Sequence, residues 1–336
     1  MTKLLIPTKH GFSLVAEFAE AASGEPADVI VLVHGFTNTR RSKVLRFRSQ
    51  LANYATMVFD LRGNGESGTL SDDGYRYPSD PTKTLPRSSR TRMGNYAEEA
   101  EDIDTVVEYI RTVMKRNVKC VVGHSKGASS VTLYAANKGS AAPPYIVNLA
   151  GRFVLDRLSP EDTRKTGLHG TLSGGPPVNY GPLRNRSLLK QIDAARTGSN
   201  SSNSSNASDA ASDAGDDSRT GFAQFEDNQE LFVLTYEDLM ERFALSMGDV
   251  CSKIDTKNVK YLVIHGDADD VVPIEDAQLY LATVTKNADS NGGHLPQLHI
   301  MPGVDHMFVD EASQSHVAKA VAAFCEDKPL PSFTKS

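Results

Sequence analysis

Short apolar blocks recur along the chain between polar and turn-rich stretches, the clearest being Val29-Ile30-Val31-Leu32-Val33. Read as strands bounded by turn residues, they fall at 3–6, 13–18, 28–33, 55–59, 118–122, 145–149, 259–264 and 297–301. Blocks that stay apolar without alternation predict strands buried on both faces, as at the centre of a parallel sheet. The first two alternate instead, which predicts an edge hairpin. Between the blocks the period changes. Within 96–114, Ile103, Val106, Val107, Ile110 and Val113 repeat at helical spacing, with acidic residues at the start and basic ones at the end, as the helix dipole favours. A second helical run follows the 118–122 strand and reaches residue 136. In 314–324, Val317, Ala320, Val321 and Phe324 share one face and predict a closing helix. Strands alternating with helices predict an α/β fold: an eight-stranded, mostly parallel sheet flanked by helices.

Between about 150 and 250 the strand pattern stops, and a helical stretch at 236–246 stands apart from the rest. An insertion at 151–249 is expected, with the core formed by 1–150 and 250–328. Within it, 197–220 consists almost entirely of Ser, Asn, Asp, Ala and Gly. That composition buries too little apolar area to offset chain entropy and predicts a disordered loop. A length of 336 residues suits one large domain with such an insertion.

Composition narrows the partners. A formal net charge of −6 supplies no field to gather phosphates, which argues against nucleic acid and anionic membrane. No apolar run is long enough to span a bilayer, and the first twenty residues lack the apolar stretch of a signal peptide. Cys120, Cys251 and Cys325 are widely spaced, without the pairing of a metal site or a disulfide framework. They read as packing residues in a reducing compartment, and the cytoplasm is the expected location. Asn200, Asn203 and Asn206 stand in Asn-x-Ser patterns, which arise easily in a serine-rich tract.

Four segments carry chemistry. Gly123-His124-Ser125-Lys126-Gly127 lies between a strand and a helix, so Ser125 is expected on a sharp turn above the sheet. Glycines on either side let strand and helix approach closely, and the backbone N–H of Lys126 faces the substrate oxygen. Val33-His34-Gly35-Phe36 follows a buried strand, and the N–H of Phe36 is the expected second donor of an oxyanion hole. His265-Gly266-Asp267-Ala268-Asp269-Asp270-Val271-Val272-Pro273 offers three carboxylates after the seventh strand. Asp269 is selected by its spacing from His265-Gly266 and Val272-Pro273 as the acid that orients a histidine. Asp267 and Asp270 are expected to bond turn backbone. The loop lacks the ligand spacing of a calcium hand. His306, in Gly303-Val304-Asp305-His306, follows the eighth strand and is the expected general base. The catalytic residues expected are therefore Ser125, Asp269 and His306, with Phe36 and Lys126 as oxyanion donors. No cofactor or metal is needed.

With the Ser, Asp, His order complete, the chain resembles the α/β-hydrolase superfamily. The likeness is to its esterase and serine-aminopeptidase-like branch, which includes feruloyl esterases and monoacylglycerol lipases. Asp60-Leu61-Arg62-Gly63-Asn64-Gly65-Glu66-Ser67-Gly68 is similar to the family's Asp-x-Arg-Gly-x-Gly-x-Ser loop, to which a structural role is assigned. Lys126 departs from the Met, Gln or Leu common after the nucleophile. The resemblance implies an α/β-hydrolase fold whose 151–249 insertion is a lid, and a serine esterase acting on a small carboxylic ester through an acyl-enzyme. An aminopeptidase or acyltransferase using the same triad is the alternative. An aminopeptidase needs lid acids to bind a free amine, for which Glu226, Glu230 and Glu237 are candidates. A non-catalytic ligand-binding protein of this fold is the remaining reading and normally lacks an intact triad.

Overall fold

The computed structural model describes residues 1–67 other than 25 and 37, the strand segments 76–77, 80–84, 90–92, 178–180 and 231–234, and residues 95–155, 242 and 244–334. The expected loop at 197–220 and the acids Glu226, Glu230 and Glu237 lie outside these. So do most of the 151–249 insertion and of the 236–246 helical stretch.

The eight expected strands form one sheet. They are β1 (Thr2–Pro7), β2 (Ser13–Ala19), β3 (Val29–Val33), β4 (Ala55–Phe59), β8 (Val118–His124), β9 (Tyr145–Leu149), β12 (Lys260–Gly266) and β13 (Gln297–Met301). Their order across the sheet is β1-β2-β4-β3-β8-β9-β12-β13. β1 and β2 pair antiparallel as a hairpin, β2 joins β4 antiparallel, and every later pairing is parallel. β3, β4 and β9 are buried at every position, whereas the edge strand β13 is buried only at Met301. Smaller pairings involve β5 (Arg76–Tyr77) with β6 (Asp80–Thr84), and β7 (Arg90–Arg92) with β10 (Val178–Tyr180) and β11 (Leu231–Leu234). In the second of these, β11 pairs parallel to β7 and antiparallel to β10. β5, β6, β7 and β10 carry no apolar block, whereas Leu231-Phe232-Val233-Leu234 of β11 is one that the strand reading did not include.

Period-two alternation divides the core into two layers. Val29, Val31 and Val33 of β3 join one apolar cluster, and Ile30 and Leu32 join the other. On the first face lie α1 (Tyr96–Thr112), α2 (Lys126–Lys138), α3 (Met247–Cys251) and α4 (Ile274–Asn291). On the second lie α5 (Glu311–Cys325) and the 3₁₀ turn Lys43–Gln50.

Helix ends differ from the sequence pattern for local reasons. α1 starts in a capping box, with Glu98 N–H donating to Asn95 Oδ1 at 2.7 Å and Asn95 N–H to Glu98 Oε2 at 3.1 Å. It stops at Thr112, because the chain turns back through Lys115 at φ 55° and Arg116 N–H closes on Ile110 O at 3.1 Å. Val113, expected on the buried face, is therefore 61% exposed. α5 begins three residues early because Asp310 caps Ser313 N–H at 2.9 Å. α4, with 18 residues, is not evident from periodicity. Its buried stripe is Ala277, Tyr280, Val284 and Ala288, too lean in large apolar residues to read as a helix face.

Candidate active site

Parallel strands deliver their C-terminal ends to one edge of the sheet, and the loops leaving that edge carry all the expected site residues. β8 ends at His124, and α2 begins at Lys126, so the turn between them is Ser125 alone. Ser125 has φ 54° and ψ −121°, a strained backbone for a residue with a Cβ. Its N–H is held by Leu149 O at 2.9 Å, and its carbonyl accepts Ala128 N–H at 3.0 Å. The flanking glycines are steric requirements: a Cβ on Gly123 would run into the Gly127 carbonyl, and one on Gly127 into that of His34.

The structure brings Ser125, His306 and Asp269 together although 181 residues separate the first two. The Ser125 hydroxyl lies 2.9 Å from His306 Nε2, to which it donates, and His306 Nδ1–H donates to Asp269 Oδ2 at 2.7 Å. The side chain of Asp269 is fully buried. Its Oδ1 accepts Val271 N–H at 2.9 Å and Val272 N–H at 2.7 Å. Burial pushes the carboxyl up, but donors from His265, His306 and the Val272 backbone outweigh it and hold the group well below the usual carboxylate range. Asp269 is thus an anion that fixes the His306 ring with Nδ1 protonated and Nε2 open to the hydroxyl.

Asp267 points elsewhere, accepting Gly303 N–H at 2.5 Å, and Asp270 is exposed. Gly35 packs against the nucleophile: a Cβ there would sit 3.0 Å from Ser125 Cβ. The chain leading to Phe36 therefore passes beside Ser125, while Lys126 follows it directly as the first residue of α2. His34 is fully buried, donates from Nδ1 to Gly35 O at 2.8 Å and accepts Leu61 N–H at Nε2, 3.1 Å away. Burial pushes it down to about 4, so it is a neutral strut between β3 and the loop after β4.

The Lys126 side chain pairs with Glu99, which is 2% exposed on α1, and lies 5.1 Å over the Tyr96 ring. Ser130 Oγ also donates to Glu99, at 2.5 Å. The acidic start of α1 gives no sign in the sequence that one of its carboxylates is buried against the nucleophile's neighbour. His124 and His265 were visible as parts of motifs, but nothing in the chain assigned them partners. The Asp60–Ser67 loop is braced through Asp60, which accepts Glu66 N–H at 3.0 Å from within the loop and, from outside it, Arg40 N–H at 2.7 Å and an Arg40 guanidinium N–H. Among the described residues no group of three or more His, Cys, Asp or Glu is placed to hold a metal, and no helix is long and apolar enough to cross a membrane.

A family model described as the alpha/beta hydrolase family matches residues 30–323. The chain belongs to the alpha/beta hydrolase family. No curated protein matches this hydrolase. Among solved structures it is similar to Est1E from Butyrivibrio proteoclasticus, with 15% identity, a TM-score of 0.58, and coverage of 97% of this chain and 98% of that one. It is similar also to the Pyrococcus furiosus esterase Pf2001, with 14% identity, a TM-score of 0.58 and coverage of 97% and 92%. For the hypothetical protein PA2218 from Pseudomonas aeruginosa the values are 14%, 0.62, and 98% and 93%. At such identities the likeness extends to the fold. It bears out the expected α/β-hydrolase architecture with its eight-stranded sheet.

Proposed function

We propose that this alpha/beta hydrolase is a serine esterase that cleaves a small carboxylic ester through an acyl-enzyme intermediate on Ser125. The observation that carries the reading is the unbroken hydrogen-bond chain from Asp269 through His306 to the Ser125 hydroxyl, ending on a strained turn. As Ser125 Oγ attacks the ester carbonyl, His306 Nε2 takes its proton, and the Asp269 anion stabilises the imidazolium. The N–H groups of Phe36 and Lys126 receive the negative charge that develops on the carbonyl oxygen. The tetrahedral species collapses, His306 returns the proton to the leaving alcohol, and water repeats the sequence on the acyl-enzyme. No step calls for a cofactor.

One of the similar structures, Pf2001, is named as an esterase, and another is Est1E with ferulic acid bound; both support an ester as substrate. On this reading 1–150 and 250–328 carry the chemistry, and 151–249 is the lid that selects the acyl group. Three free, buried cysteines support a reducing compartment such as the cytoplasm. A fluorophosphonate probe tests the nucleophile. Wild-type protein is expected to be labelled and Ser125→Ala not; equal labelling of both rejects the assignment.

A further inference from the structure

Two buried histidines touch the triad without lying on its proton path. His124, in β8, is 1% exposed, and its Nε2 lies 2.9 Å from the backbone carbonyl of His306. His265, in β12, is fully buried, and its Nε2 lies 2.9 Å from Val272 O and 3.3 Å from Asp269 Oδ2. A carbonyl only accepts, so each Nε2 carries a proton and each Nδ1 is a lone pair in the neutral ring. Neither Nδ1 has a polar partner among the described residues. Adding a proton to His124 Nδ1 would bury a cation without an acceptor for it. Burial, aided by the neighbouring His306, pushes His124 down to about 3. The direction of its donated bond is therefore fixed at working pH.

We propose that His124 and His265 are positioning residues for the triad. His124 ties the backbone of His306 to the strand that carries Ser125, and His265 closes the acid loop around Asp269. The proposal rests on the reading of Ser125, His306 and Asp269 as a proton relay. His306 stands on the loop between β13 and α5, in which Asp305 binds Met307 N–H at 2.9 Å and Phe308 has φ 48°. The bond from His124 crosses to that loop from β8. The 2.9 Å separation of Ser125 Oγ and His306 Nε2 is thereby referred to a central strand instead of to a surface turn. The two rings also pack, with centroids 4.9 Å apart. On the other side, the His265–Val272 bond spans the loop whose Val271 and Val272 N–H groups hold Asp269 Oδ1. Arg152 supports the same loop from outside by donating to Val271 O at 2.6 Å. Each histidine thus governs the backbone on which one partner of Ser125 is mounted.

The test compares three variants at each position on a nitrophenyl ester, with the thermal midpoint of every variant recorded. Gln places an amide N–H where the imidazole Nε2–H was, Asn holds it too short to reach the carbonyl, and Leu removes it. Gln is expected to stay within about threefold of wild-type kcat, while Asn and Leu lose about 10- to 100-fold in kcat with KM within about twofold. If Leu fails to fold, the Gln and Asn pair decides. Wild-type kcat in Asn and Leu, equal loss in Gln and Asn, or a loss carried by KM would overturn the proposal. Ser125→Ala is measured alongside. If that protein keeps turnover, the relay reading itself is wrong; if it is inactive and the histidine variants show no ranking, only the positioning role falls.

Discussion

Two buried polar clusters sit at the same edge of the sheet and differ in how their hydrogen bonds end. Around Asp60 and Asp102, every carboxylate meets a guanidinium or a backbone N–H. Arg40 joins Asp60, Glu17 and Glu66, and Arg62 donates to Asp102 from N, Nε and Nη2 at 2.8, 2.9 and 2.7 Å. Around Asp269 the bonds run in one direction, through an imidazole to a hydroxyl held on a strained turn. The first cluster closes on itself and braces loops. The second ends on the Ser125 hydroxyl, the nucleophile of the function proposed above. Burial of charge alone does not distinguish scaffold from chemistry; the open end of the chain does.

The strongest way to break this comparison is to remove the open end. Ser125→Ala and Asp269→Asn are expected to lower ester turnover by about ten-thousand-fold or more, Ser125→Ala with a thermal midpoint close to wild type. Comparable activity in either variant, measured on the same ester, would erase the distinction. The converse change is Asp102→Ala. It removes the fully buried partner of Arg62 and leaves the guanidinium only Glu101 at 2.7 Å and Glu98 at 3.8 Å, which is expected to cost about 3 kcal/mol in denaturant unfolding, with kcat of the surviving folded protein within a few-fold of wild type.

A third expectation concerns acid. His34 is held down to about 4 and His124 to about 3, both below the ordinary 6.5. From pH 6.5 downward the unfolded chain takes protons on both residues that the folded chain refuses, so stability falls as pH drops toward 4. Asp269, held below the usual carboxylate range, adds a further loss once pH falls under that range. Unfolding free energies at several pH values are expected to show a flatter slope in His124→Gln than in wild type; an identical slope contradicts it. The smallest effect is expected at the carboxylates beside the acid. Asp267→Asn and Asp270→Asn should each stay within about tenfold of wild-type kcat, since neither reaches His306. A ranking that placed them below Asp269→Asn would move the acid.

Much of the scaffold was legible because burial on both faces writes itself into consecutive residues. Val29 to Val33 and Ile146 to Leu149 name their own strands, and Gly123 and Gly127 announce a tight strand-to-helix turn. α4 was not legible, because a helix that packs Ala277 and Ala288 against the sheet needs no large apolar stripe. The end of α1 was missed because Lys115 takes a left-handed conformation usually left to glycine, so Val113 is exposed despite its spacing. Asp269 was separable from Asp267 by spacing, yet only the fold directs Asp267 to Gly303 N–H and Asp269 to His306.

Sequence by itself determined the alternation of strand and helix, the turn that lifts Ser125, and which few residues had the chemistry to serve it. These are local matters, settled by side-chain period and backbone sterics within a few positions. Tertiary structure alone decided which nitrogen of His34, His124, His265 and His306 carries a proton, that Lys126 pairs with Glu99, and that His124 holds the carbonyl of His306. Those outcomes depend on partners 27 and 182 residues away, and hydrogen bonds extend only about 3 Å, so nothing near Lys126 or His124 in the chain records them.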